Sequence, residues 1–411
     1  MMVGFVSSSH GEALMSLPLS PAESIRLVSP LLDAGDVIWL ECDAAGQFQQ
    51  ASVMARIPAS ASKAYGIVSD PNQYKAMSPS VDAVSILSRS PEKITFESSV
   101  RIPFGAIHNV IAMELKGPDR IDTHFIDGDL KTGNFRWWFV PESETRSAVI
   151  YTLKTDVRET NWMIRQLTRI RPETQHGGNS GTGLITVWGL KRVLLGAQSA
   201  LLKHQPSPWA KKPVELPLKL SASSVTPMPE WAALVPLLQR GPLIQVESAP
   251  GGRLKRVTAY GLTRASRKGL YDLVAAPETY PHHISHFQSV EVTRREPGLI
   301  EYSSTVEFMK LRYRSRERME LFPDRILSRT IDGDLAGAAS QLELLPMADG
   351  TTLAAWSFYM DPSSNGWIMK QVFGLDPLVE HIFAVSGGFG TLMGLMRAAE
   401  HKPPLFSEEK E

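Results

Sequence analysis

The pentapeptide IDGDL occurs twice, at 126–130 and 331–335, a spacing of 205 positions. Flanking sequence aligns at nearly the same spacing. SPLLDAGDVIWLE from Ser29 lies over VPLLQRGPLIQVE from Val235, and SDPNQY ending at Tyr74 lies over AAPETY ending at Tyr280, both 206 apart. One deletion, between MELKGPDRI at Met113 and MELFPDRI at Met319, reconciles the two spacings. Beyond it Pro172, His176, Thr186, Gly189 and Leu190 meet Pro377, His381, Thr391, Gly394 and Leu395. The chain is therefore a tandem of two homologous copies. A period near 205 residues is too long for a solenoid unit, so each copy is expected to hold its own core and to fold separately.

The boundary is marked by KHQPSPWAKKPVELPLKLSASSVTPMPE, in which prolines and a serine cluster interrupt every periodic pattern. The expected organisation is a first domain over 1–202 with an N-terminal helical extension, a Pro-rich linker over 203–230, a second domain over 231–402 and a tail over 403–411. Lys and Arg equal Asp and Glu at 43 each, so no global charge draws the chain to nucleic acid. No nucleic-acid-binding motif occurs either. Cys42 is the sole cysteine, which excludes an intrachain disulfide and a cysteine-built zinc site. No apolar run approaches the length of a membrane span, and the N-terminus lacks a basic and then apolar leader pattern. The expected location is cytoplasmic.

Within each copy the pattern reads helix, strands, long helix. SPAESIRLVSPLLDAG opens on a Ser-Pro cap signal and stops at Gly35; ASVMARIP follows as a strand, and ASASKAYGIVSDPNQY as a short helix. Five alternating segments come next. In TFESSVRI, Phe96, Ser98, Val100 and Ile102 share one face; Tyr302, Ser304, Val306 and Phe308 repeat the alternation. Turn signals such as GPDR, DGD and PESETR imply an antiparallel meander. Glycine-rich stretches, GGNSGTG and SGGFG, are expected to lead into a C-terminal helix covering the concave face.

IPASASKAYGIVSDPNQYKAMSPSVDAVSIL resembles the opening signature of the START-like superfamily, in the branch of coenzyme-Q-binding proteins and polyketide cyclases, and FIDGDLKTGNFRWWFVP resembles its mid-sheet hairpin. The resemblance covers about residues 50–200 and, more weakly, 255–400, where PHHISHF replaces KAMSPSV. It implies an α+β fold of two tandem helix-grip domains, each a curved antiparallel sheet wrapped around a long C-terminal helix and an apolar cavity.

Several motifs admit two readings. IDGDL is most simply a duplicated tight turn, since Asp-Gly supplies positive φ; a calcium loop would need further oxygen ligands and a closing glutamate. His282, His283 and His286 have helical spacing that metal sites use, but no acidic partner follows and the aligned Lys75, Ala76 and Pro79 are not ligands. No metal and no cofactor are expected. GGNSGTG lacks the ending of a phosphate loop, although a helix N-terminus there could hold an anion such as a lipid headgroup.

The copies differ most in one strand. Lys310, Arg312, Arg314, Arg316 and Arg318 alternate with Leu311, Tyr313, Ser315, Glu317 and Met319, where the first copy has Phe104, Ala106, His108, Val110 and Ala112. The basic ladder is either a solvated outer face or, through Arg312, Arg314 and Arg316, a contact for anionic membrane. Its outward direction turns Glu317 inward, as a ligand anchor or at a wet strand end. Alternation places Phe96, Val100, Asn109, Ile111, Trp137, Tyr151 and Leu153 toward the C-terminal helix of the first copy, joined by Trp188 from that helix. In the second copy the lining is Tyr302, Val306, Tyr313, Glu317, Leu342, Trp356 and Phe358, and a share of both sets is expected merely to pack.

Two functions follow. One is a non-enzymatic carrier that buries a lipid, quinone or other polycyclic ligand, which the resemblance implies for much of the branch. The other is a polyketide aromatase/cyclase, with Glu317, Tyr151 and Asn109 moving protons. No nucleophile with its base and orienting partner is assembled in either copy, which favours the carrier.

Overall fold

The computed structural model describes residues 17–43, 48–78, 80–102, 105–130, 132–155, 173–196, 231–248, 254–308, 311–359 and 379–402. The proposed linker and tail, Phe104 and Lys310 lie outside them.

Helix α1 (Pro21–Ala34) starts at a capping box: Ser20 accepts from the Glu23 N–H while the Glu23 carboxylate reaches back to Ser20. Strands β1 (Asp36–Cys42) and β2 (Phe48–Ile57) follow, then α2 (Ala61–Val68), capped by Ser60, and a short α3 (Tyr74–Met77). Six strands succeed these: β3 (Val81–Arg89), β4 (Lys93–Ile102), β5 (Gly105–Leu115), β6 (Arg120–Gly128), β7 (Gly133–Pro141) and β8 (Ser147–Thr155). Helix α4 (Glu173–Leu195) closes the copy.

The second copy repeats the order. It runs α5 (Val235–Leu238), β9 (Leu243–Ser248), β10 (Leu254–Thr263), α6 (Arg267–Val274), α7 (Tyr280–His283), β11 (Phe287–Glu296), β12 (Leu299–Phe308), β13 (Leu311–Leu321), β14 (Arg325–Gly333), β15 (Ala339–Pro346), β16 (Thr352–Tyr359) and α8 (Val379–Ala399). Buried polar bonds recur with the fold. Ser52 bonds Thr152 as Thr258 bonds Ser357, each at 2.9 Å, and Tyr74 and Tyr280 each donate to the carbonyl six residues earlier.

The sixteen strands form one antiparallel sheet, ordered β11-β12-β13-β14-β15-β16-β10-β9-β1-β2-β8-β7-β6-β5-β4-β3. This order reads the same from either end once each strand is exchanged for its counterpart, so the copies are related by a pseudo-two-fold axis at the β1–β9 pairing. There Ile38 faces Ile244, its own equivalent, while Val37 faces Gln245 and Trp39 faces Leu243. The side-chain bonds across the junction are reciprocal. Trp39 donates Nε1–H to Leu237 O of the second copy, and its equivalent Gln245 donates Nε2–H to Leu31 O of the first.

The expectation of separate cores is corrected by this junction. One apolar layer, between the sheet and α4 and α8, draws on both copies; a second, between the sheet's other face and α1 and α5, does the same through Val28, Leu31, Trp39, Leu237 and Tyr260. The joining strand was missed in sequence because β1 is buried along nearly its whole length and shows no two-residue period. The count of five later strands is likewise corrected to six.

The glycine-rich stretches also lie elsewhere than expected. They are inside α4 and α8, not ahead of them. A Cβ on Gly177 would stand 2.0 Å from Ser386 Oγ of α8, and one on Gly183 would stand 2.7 Å from Val53, so the glycines let α4 approach both α8 and the sheet. Gly189 and its equivalent Gly394 make the same approach to the carbonyls of Met77 and His283, at 2.5 and 2.6 Å. The anion that a glycine-rich helix start could hold has no such start here, because the glycines lie inside the helix.

Because the layers are shared, the chain is expected to unfold in a single transition in urea. Trp39→Ala removes a fully buried indole and its bond across the junction, and should lower stability by about 3–5 kcal/mol. Two resolved transitions in the unaltered chain would show that the copies are energetically independent.

Candidate functional site

Both IDGDL segments end a strand against a neighbouring bulge. Gly128 and Gly333 take φ of 119° and 96°, and a Cβ there would meet the carbonyls of His108 and Arg314 at 2.3 Å. The second aspartate of each motif, Asp129 or Asp334, bonds the backbone N–H of that same residue at 2.8 Å. Asn109 belongs to this turn: its Oδ1 accepts from Leu130 N, so its side chain is engaged in the hairpin.

The inner, concave face of the first copy is built by register. Phe96 of β4 pairs with Ile111 of β5, which pairs with Phe125 of β6; one step along, Thr123 pairs with Phe135 of β7, which pairs with Leu153 of β8. Trp137 and Tyr151 stand beside them with ring centroids 4.4 Å apart, and Phe125 and Phe135 meet edge to face at 5.0 Å. Phe96, Ile111, Trp137, Tyr151 and Leu153 are buried core, whereas Val100, Phe125 and Phe135 keep accessible surface. The Tyr151 phenol is pushed far up by burial, with the nearby Tyr74 adding to it.

Trp188 is not on this wall. Its Nε1–H donates to Asp36 of β1, which also accepts from Lys191 Nζ at 2.6 and 2.8 Å, and its ring meets His381 of α8 at 4.4 Å. It pins α4 to the junction between copies. The equivalents of Asp36, Trp188 and Lys191 are Pro242, Met393 and Met396, so the pin exists on one side only.

The matching face of the second copy has the same register and different chemistry. Tyr302 pairs with Glu317, which pairs with Thr330; Ser328 pairs with Ser340, which pairs with Phe358. Phe96, Ile111, Phe125 and Phe135 are thus replaced by Tyr302, Glu317, Thr330 and Ser340. Glu317 accepts from Tyr302 OH at 2.7 Å, Ser304 Oγ at 3.0 Å and Ser328 Oγ at 3.2 Å. Its side chain is partly exposed on the inner face. Burial raises its pKa above the ordinary carboxylate value, against the three hydroxyls, which lower it. Tyr302, Tyr313, Leu342 and Trp356 are buried; Val306 and Phe358 are partly exposed.

The outer face of β13 carries the basic ladder. Arg316 and Arg318 converge on the buried Glu301 of β12 at 3.0 and 2.8 Å, and Arg312 pairs with Glu307 at 3.2 Å, so these cations have counter-charges on the next strand. His286 Nε2 lies 3.3 Å from Thr391 Oγ1, and the rings of His282 and His283 are 6.3 Å apart. Of the proton-moving candidates, Tyr151 and Asn109 stand in the first copy and Glu317 in the second, with Glu317 and Tyr151 on strands eight positions apart in the sheet.

A carboxyl group whose folded value is raised favours the acid form in the folded protein. Its contribution to stability is full below the unfolded value and is lost as pH rises through the folded one. Glu317→Gln is therefore expected to stabilise the chain at neutral and alkaline pH and to make no difference near pH 4, about the unperturbed value. Melting temperatures across that range check it. A variant less stable at every pH would show that the ionised form is the favoured one.

Residues 57–175 match the family model described as polyketide cyclase / dehydrase and lipid transport. No curated protein matches the chain in sequence. Among solved structures, the di-domain ARO/CYC StfQ from the steffimycin biosynthetic pathway is 11% identical, covering 85% of this chain and 98% of its own at a TM-score of 0.31. The di-domain ARO/CYC BexL from the BE-7585A pathway is 13% identical, covering 86% and 100% at 0.29. A protein of Thermus thermophilus is 19% identical, covering 36% and 99% at 0.32.

Proposed function

We propose, from a first copy whose residues 57–175 match the model of the polyketide cyclase / dehydrase and lipid-transport family, that this chain binds an apolar small molecule on the inner face of that copy. The observation that carries the reading is the row Phe96, Ile111, Phe125, Phe135, Leu153, flanked by Trp137 and Tyr151. Among the described residues of that row no side chain is charged, while Val100, Phe125 and Phe135 still offer accessible apolar surface.

Such a wall favours a flat, ring-containing or lipid-like molecule, because aromatic faces stack on it and nothing on it demands a polar partner. Binding without chemistry is the favoured form. The phenols of Tyr74 and Tyr151 are both held neutral by burial, so neither supplies a base near neutral pH. Ring closure of a bound polyketide chain, the alternative, would require proton-moving groups that this face does not present among the described residues.

Val100 lies on the same face as Phe96 and is half-buried, so a larger side chain there enters accessible space. Val100→Trp should weaken binding of fluorene, a flat tricyclic hydrocarbon, about tenfold or more, equal to about 1.4 kcal/mol, with little change in melting temperature. Calorimetric titration reads both the affinity and the number of sites. Unchanged fluorene binding would place the ligand elsewhere and refute the reading.

A further inference from the structure

The second copy retains the architecture of the first face and replaces four apolar side chains along one cross-strand row. A core under selection only for packing would gain nothing from this exchange, because each buried polar group costs free energy unless it is bonded. Two of the exchanged groups, Tyr302 and Glu317, meet, and two hydroxyls whose first-copy counterparts Ser98 and Thr123 are hydroxyls already join them. Tyr302 from β12, Ser304 from the same strand and Ser328 from β14 all direct hydroxyls at the one carboxyl of Glu317. Oε2 accepts two of these bonds and Oε1 one, which leaves Oε1 the less occupied oxygen.

We propose that this row is a second binding site, which takes an apolar ligand bearing a carbonyl oxygen and holds that oxygen by a hydrogen bond from Glu317 in its acid form. The proposal rests on the reading that the inner faces receive apolar ligands, and it adds a ligand class and a residue for the second copy.

The acid form follows from the surroundings. Among the described residues no cation stands within ion-pair distance of Glu317. The titratable groups facing it are the phenols of Tyr302 on β12 and Tyr280 on α7, both kept neutral by burial; from β14 it meets the uncharged Ser328. A carboxylate that protein desolvates, with no counter-charge in reach, takes up a proton more readily than an exposed one. Once protonated it has a donor to offer, and a carbonyl accepts that donor without bringing a charge to that face. A carboxylic acid kept neutral so that it donates to a ligand oxygen is an established use of an apolar site. Phe358, at the far end of the Ser328–Ser340 step, keeps accessible surface for the apolar remainder of the ligand.

The test titrates the full chain with fluorene and with 9-fluorenone, which differ only in a methylene against a carbonyl. Fluorene is expected to fill one site, abolished by Val100→Trp. Fluorenone is expected to fill that site and a further one, which weakens as pH rises through the raised value of Glu317. Glu317→Ile, which installs the residue of the first copy, should remove the further site and leave the fluorene site untouched. Glu317→Gln keeps a donor that cannot ionise, so it should retain the further site and abolish its pH dependence; it serves where the isoleucine variant does not fold. The proposal is overturned by equal site numbers for the two probes, by a further site that survives Glu317→Ile or ignores pH, by loss of that site in Glu317→Gln, or by preference for 9-aminofluorene, whose ammonium would pair with a carboxylate. Failure of fluorene to bind, with fluorenone bound in a Glu317-dependent way, would instead refute the reading of the first copy alone.

Discussion

The antiparallel pairing of β1 with β9 about Ile38 and Ile244 is the contact on which the rest of the molecule depends. Either copy alone would end in an edge strand with unpaired backbone groups and an uncovered apolar flank, the arrangement that invites association. Joining edge to edge satisfies both strands at once. The reciprocal bonds of Trp39 to Leu237 O and Gln245 to Leu31 O then tie each strand to the other copy's N-terminal helix. These are isologous contacts of the kind seen between subunits, made here within one chain.

The junction also dictates the helices. With the sheets continuous, α4 and α8 are brought side by side above the centre, and only residues without side chains let them lie close. Gly177 against Ser386, and Gly183 against Val53 and Leu153, meet that need. The symmetry is then broken by a polar pin: Asp36 receives Trp188 and Lys191, and the second copy has Pro242 and two methionines in the matching places.

The two faces have diverged where a duplicated fold is free to diverge. Positions that hold the sheet together, such as the Ser52–Thr152 and Thr258–Ser357 bonds, are kept in both copies. The row between the strands and the long helix is not: aromatic and aliphatic in one, hydroxyl and carboxyl in the other. Cross-strand register makes this a coordinated change, since Phe96 and Ile111 on paired strands become Tyr302 and Glu317, bonded to each other and to hydroxyls at positions that are Ser98 and Thr123 in the first copy.

Much of this was legible without coordinates. The duplication, the antiparallel meander and the inward direction of Glu317 follow from spacing and alternation, because repeats preserve order and a strand's period is two, while the α+β class is what the family resemblance implies. The polar row itself was open to view: aligning Phe96, Ile111, Phe125 and Phe135 with Tyr302, Glu317, Thr330 and Ser340 needs only the repeat spacing, though not their adjacency. What tertiary structure decided is whatever depends on pairing between distant segments. β1 has no period because both its faces are covered, so its role as a junction is invisible in its own residues. Trp188 reads as cavity lining in sequence, whereas its indole bonds Asp36, and the glycines read as a helix entry, whereas they lie within the helices, where Gly177 meets α8 and Gly183 the sheet. Local sequence fixes which face a side chain can take, whereas what it meets there is set by chain elements hundreds of residues away, and no local pattern encodes their arrival.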